Sequence, residues 1–208
     1  MDIEYKGGNS VVIATKKATV VVDPHLAPLG VKDIVVKDAV QLITTKDAGV
    51  QTPQRIIIDG PGEYEVADIS IKGVIASRHI DIGDAKKATM FTIDSGEVRV
   101  AVLGHVRADI NDLQLEELGT IDVLIIPVGG GGYTLDDVEA TALTRRINPK
   151  VVIPTHFEDK ALTYEVPQST LEGFIKAMGV PHEVMPKLKI KGGALPEALT
   201  IIELTRTT

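Results

Sequence analysis

The sequence predicts a layered α/β sandwich, and three observations predict it. Two strongly apolar strands in the later part, residues 122–127 and 151–154, are continuous at their centres rather than alternating, which marks strands covered on both faces. Segments with helix-type start and stop signals separate them. The first third instead reads as β-branched runs joined by turns, which marks hairpins and mixed or antiparallel pairing.

In chain order, residues 10–14 and 18–22 form a hairpin turning at Thr15-Lys16-Lys17, and its second strand stops at Asp23-Pro24, where proline cannot donate to a ladder. Apolar runs follow at 39–43, 55–58, 69–75, 89–93 and 98–103, with Asp94-Ser95-Gly96-Glu97 as the hairpin connection between the last two. Asn111 suits an N-cap with Gln114 three residues on, Leu115 and Leu118 follow, and Gly119 suits the position after the helix. Thr134 with Asp137, and Ser169 with Glu172, are Ser/Thr-x-x-acid starts of two more helices, expected to end at Asn148-Pro149 and Gly179. TVVVDP (19–24) and DVLIIPV (122–128) are alike as apolar strands ending in proline, a short hint of a duplicated half. No low-complexity linker divides the chain, so residues 1–208 are expected to form a single domain.

Composition narrows the function classes. A chain of 208 residues with 44% apolar and 25% charged content can bury a sizeable core. The net charge of −7, the scattered basic pairs, the absence of Trp and the few other aromatic residues argue against a nucleic-acid partner. Cysteine is absent, so any metal must be held by His, Asp or Glu. The N-terminal stretch carries acidic residues and no apolar leader core, and no window reaches the roughly 18 apolar residues of a membrane span. The expectation is a cytoplasmic protein with no membrane partner.

Three features are candidates for chemistry. The glycines at 129–132 lie between an apolar strand and a helix start, where backbone amides can approach an anion. They lack the Lys-Ser/Thr of a phosphate loop, and Asp136-Asp137 already neutralise the helix dipole, so a strand-to-helix turn is the favoured reading. Glu63 and Glu65, in GPGEYEV, are two apart on a strand and point to one side, as acid/base work or a solvated strand face would both allow. Of the five histidines, His25, His105 and His156 lie just past apolar strands, where layered α/β folds collect their sites.

Taken together, IEYKGGNSVVIATKKATVVVDP, IDGPGEYEV, IKGVIASRHID and LEELGTIDVLIIPVGGGGYTLDDVEA, running on into INPKVVIPTHF, resemble the metallo-β-lactamase superfamily. The likeness is to its compact branch of zinc-dependent, ascorbate-phosphate-lactonase-like hydrolases. It implies a four-layer αββα sandwich built of two αβ halves, with a metal site along one edge of the sheets. Active members begin a dinuclear site with His-x-His-x-Asp-His after a strand; the matching point here is QLITTKDAGVQ, with Thr45, Asp47, Gly49 and Val50 at the ligand positions. His79 in SRHID resembles the mid-chain ligand and His156 in IPTHF the final one. His105 in VLGHV stands where the family often has an aspartate.

The chemistry of that departure sets the functional expectation. Two ions about 3.5–4 Å apart need charge-neutralising ligands on both, which Thr, Gly and Val do not supply. One zinc or manganese ion could still be held by His79, His105 and His156, leaving a position for a water whose pKa falls to about 7. Asp47 would be a fourth ligand or a base, and Asp47 or Glu63 would shuttle the proton in hydrolysis of a small ester, lactone or phosphoester. The alternative is a scaffold that holds no metal and binds a small molecule or a protein partner, including a second copy of itself.

Overall fold

In the computed structural model, which describes residues 1–51, 53–79 and 87–207, fourteen strands form two mixed sheets. The first sheet is laid down by β1 (Asp2–Gly7), β2 (Ser10–Ala14), β3 (Thr19–Val22), β4 (Val40–Leu42) and β5 (Ile56–Ile58). The second comprises β6 (Gly62–Val66), β7 (Ile69–Ser77), β8 (Lys87–Asp94), β9 (Arg99–Val102), β10 (Val123–Pro127), β11 (Val151–Thr155) and β12 (His182–Met185). Then β13 (Leu188–Lys189) returns to the first sheet beside β1, and β14 (Thr200–Leu204) inserts between β11 and β12. Each sheet changes from antiparallel to parallel partway across: β1–β2–β3 are antiparallel and β3–β4–β5 parallel, while β6 to β9 are antiparallel and β9–β10–β11 parallel.

Burial follows from this layering. β1 alternates, with Ile3 and Tyr5 inward and Asp2, Glu4 and Lys6 outward, whereas β10 and β11 are buried at every residue. One core lies between the sheets, around Tyr5, Val22, Leu42, Phe91 and Ile125. The other lies on the far face of the second sheet, where Leu118 of α1 (Asp112–Leu118), Leu143 of α2 (Asp137–Ile147) and Phe174 of α3 (Glu172–Met178) cover Leu124 and Val152. The outer face of the first sheet, which buries Val21 and Gln41, is covered differently. Among the described residues its helical element is one 3-10 turn, Ala27–Leu29, and Gln41 there accepts from the Val50 N–H at 3.4 Å. The α/β sandwich is thus helical on one side and formed by irregular connections on the other. Among the described residues, no helix is long and apolar enough to cross a membrane.

The helix ends test the sequence signals one by one. Asn111 caps α1 as expected: its side chain accepts from the Gln114 N–H at 2.9 Å, and the Gln114 side chain accepts from the Asn111 N–H at 2.9 Å. Asn148 (φ 53°) and Gly179 (φ 61°) end α2 and α3 in the left-handed conformation. The expected start at Thr134 is corrected to Asp136, whose carboxylate accepts from the Glu139 N–H at 2.8 Å. Leu135 is fully buried ahead of the first turn, and the Thr134 hydroxyl is turned to the Gly130 carbonyl, so the helix begins after both. Ser169 is no cap either, because its backbone ties two loops together, donating to Gly129 O at 2.8 Å and accepting from the Glu158 N–H at 2.9 Å. Asp136→Ala is expected to cost about 1 kcal/mol in urea unfolding, since it leaves a first-turn amide unsatisfied.

Candidate functional site

Parallel strands of both sheets end at one edge, and a cleft of about 660 Å³ opens there. Asn9 enters it from the β1–β2 turn, Asp23 and His25 follow β3, and Thr45 to Ala48 follow β4. Arg78 follows β7, His105 follows β9, Tyr133 lies beyond β10 and His156 follows β11. Strand ends of this kind are where a sheet can hold side chains rigidly without spending its ladder hydrogen bonds.

Local backbone geometry aims the side chains. Asp23 (φ 45°) and His156 (φ 52°) both adopt the left-handed conformation without being glycine, which costs roughly 1 kcal/mol or more each. Hydrogen bonds hold them there: Asp23 N–H donates to Leu42 O at 3.0 Å, and His156 N–H to Gly8 O at 2.9 Å. The second bond joins the hairpin turn of one sheet to a strand end of the other. Arg78 is set by the pairing of its segment with the chain around His105, where His79 N–H donates to His105 O at 2.9 Å and Arg107 N–H to Ser77 O at 3.0 Å.

Inside the cleft the rings of His105 and His156 cross edge to face with centroids 4.9 Å apart. The Asn9 amide nitrogen lies 2.8 Å from His105 Nδ1 and 3.4 Å from its Nε2, so it packs over the ring rather than along either lone pair. His156 carries its proton on Nδ1: its Nδ1–H donates to Gln168 Oε1 at 3.1 Å, and Gln168 is itself oriented by donating to Val166 O at 2.8 Å. Burial holds the His105 imidazole well below its ordinary pKa, with the charges of His156, Arg78 and His79 acting the same way. Burial brings His156 down to about 4 despite the Gln168 hydrogen bond. Both rings are therefore neutral at pH 7.

Asp23 carries the complementary perturbation. Burial pushes its carboxyl up to about 7, against hydrogen bonds from the Thr44 hydroxyl (2.5 Å) and N–H (2.8 Å) and the nearby charge of Arg78. A carboxyl that holds or releases its proton near neutrality is the kind of group that functional clefts collect. His25, at the rim, donates from Nδ1–H to the Asp33 carboxylate at 3.1 Å.

The sequence candidates separate in space. His105 and His156 come together in the cleft; His79 is not among the residues lining it, its Nδ1 lying 3.0 Å from Gly132 O and its Nε2 3.4 Å from the Glu139 carboxylate. Asp47 lines the cleft beside Thr45 in the connection that resembles the family's first ligand motif. Glu63 does not: it sits on β6 with its side chain 81% exposed, 3.7 Å from Lys72, on a solvated strand face. Ile80 and Asp81 of the SRHID segment lie outside the described residues. Asn9, Asp23, Arg78 and Gln168 escaped the sequence reading. The signal available for Asp23 was its place directly after a buried apolar strand; for Arg78 it was adjacency to His79.

The donor set does not fit a metal centre. Both Asp23 oxygens accept from Thr44, and both His79 nitrogens are within reach of Gly132 and Glu139. Among the described residues, no three His, Asp or Glu side chains are grouped so as to hold an ion. The positive charge of Arg78, close enough to act on Asp23 and His105, further disfavours a cation there.

The chain matches the model of the beta-lactamase superfamily domain over residues 2–156 and belongs to that family. It has the metallo-β-lactamase fold. A candidate Zn-dependent hydrolase of the metallo-β-lactamase superfamily from Thermotoga maritima superimposes with a TM-score of 0.78 at 26% identity, covering 98% of this chain and 99% of that one. A metallo hydrolase from Ignicoccus hospitalis shares the fold with a TM-score of 0.63 at 17% identity, covering 86% of this chain and 90% of that one. A curated metal-dependent hydrolase from Natranaerobius thermophilus is 28% identical over 100 residues, which is 48% of this chain and 43% of the relative's length. The aligned part is thus less than half of that relative.

Proposed function

We infer that this protein binds a small molecule in the strand-end cleft and does so without a metal ion, as a metallo-β-lactamase-fold protein whose ligand set is degraded. The observation that carries the inference is that, among the described residues, no three His, Asp or Glu side chains are grouped so as to hold an ion. The Arg78 guanidinium lines the same cleft, close enough to act on Asp23 and His105, and its charge opposes a cation there. A concave site bounded by a few fixed polar groups, with apolar Leu26, Leu29 and Val166 among its walls, suits a small organic ligand.

A second reading, hydrolysis by one zinc or manganese ion, has one observation in its favour. His156 keeps an unprotonated Nε2, and Asp47 is in the same cleft.

Elemental mass spectrometry of tag-free protein, before and after dialysis against zinc and manganese, separates the two. The expected result is metal far below one equivalent, unchanged in His156→Ala. Near-stoichiometric metal that His156→Ala removes would overturn the metal-free reading.

A further inference from the structure

We propose that the ligand of this cleft is a small oxyanion, a carboxylate or a phosphate, gripped by the Arg78 guanidinium in the cleft that His105 also lines. The inference rests on the metal-free reading above and adds the chemical class of the ligand.

Arg78 lines the cleft, is only partly exposed, and lies close enough to influence Asp23, His105 and Tyr133. Its guanidinium makes no ion pair or side-chain hydrogen bond to any described residue, whereas most of the protein's other arginines do: Arg55 binds Asp38, Arg99 Asp94, Arg146 Asp112 and Arg206 Asp159. A planar fork of five donors left uncommitted inside a cleft is matched in geometry by a carboxylate or phosphate edge, which it can bind through two parallel hydrogen bonds.

The carboxylates of the cleft do not occupy that fork. Asp23 has both oxygens engaged by Thr44. Glu165 accepts from the Tyr133 hydroxyl, and Asp47 lies on an exposed connection next to Lys46. Lys46 also lines the cleft and makes no ion pair to a described residue, so it adds a second, mobile cation at the mouth. His156 Nε2 can accept from a hydroxyl carried by the ligand, since its Nδ1–H donates to Gln168.

The test is isothermal titration of the full chain at low ionic strength with sodium phosphate and, separately, with sodium succinate, alongside imidazole chemical shifts of His105 and His156. Saturable one-site binding of either anion is expected, weakened about tenfold or more by Arg78→Gln and less by Arg78→Lys, with the melting temperature held. Lys46→Gln should weaken it only a few-fold. Binding of phosphate alone assigns a phosphate-bearing ligand; binding of succinate alone assigns a carboxylate. Absence of binding to both, or affinity indifferent to Arg78→Gln, overturns the proposal. In that event, imidazole shifts with neutral glycerol would leave the metal-free cleft standing, while shifts produced by one equivalent of zinc would overturn that reading as well.

Discussion

Asp23→Asn is expected to gain stability over the native protein as pH rises, by about 4 kcal/mol between pH 4 and pH 8. The native carboxyl holds its proton up to about 7, while in the unfolded chain it ionises near 3.8. Across that window the folded state binds the additional proton, so ionisation progressively favours unfolding and the cost levels off above pH 7. A shift of about three units, at 1.36 kcal/mol per unit, gives the magnitude. Asparagine tolerates the left-handed backbone at this position and can still accept from the Thr44 N–H. The histidines work in the opposite direction. His156 falls from 6.5 to about 4 in the folded state and His105 falls as well, so each adds stability as pH rises through the window below 6.5. The native profile is therefore flattened by Asp23, and the variant should rise more steeply. Urea unfolding across pH measures both curves; parallel curves would contradict the buried-carboxyl assignment.

Gly129→Ala is expected to cost about 3 kcal/mol and to disturb the imidazole pair. A Cβ at this position would overlap the His156 carbonyl oxygen and Gln168 Oε1, the atom that accepts from His156 Nδ1. The Gly129 carbonyl meanwhile accepts from Ser169 N–H at 2.8 Å, so the backbone cannot retreat without opening the loop that carries Gln168. Gly60→Ala is the control, since a Cβ there meets nothing within 4 Å and the backbone is not left-handed. Thermal unfolding and His156 imidazole shifts read the result: a Gly129→Ala protein as stable as the control would mean that the loop adapts and the close packing behind His156 is unimportant.

What the sequence could reveal depended on how local each signal was. The continuous apolar runs of β10 and β11 are buried at every position, and Asn111, Gly119, Asn148 and Gly179 mark helix ends within a few residues of the helices they bound. The start of α2 was ambiguous because Thr134-x-x-Asp137 and Asp136-x-x-Glu139 overlap; burial of Leu135, a tertiary fact, selects the second. β13 is two residues long and is defined by its partner β1, which lies at the other end of the chain. The site divides in the same way. His105 and His156 were visible as strand-end residues. Asn9 and Gln168, which contact these two rings, act across 96 and 12 residues and have no motif of their own. The resemblance to metal-dependent hydrolases points to the strand ends, where the cleft opens, while the chemistry within it depends on partners that only the fold assembles.

The most direct test of the central claim is the nitrogen chemical shifts of the His105 and His156 rings at neutral pH, recorded before and after one equivalent of zinc. The metal-free account predicts two neutral rings, with His156 protonated on Nδ1, neither changed by zinc. Two rings that zinc shifts together at one equivalent would contradict it.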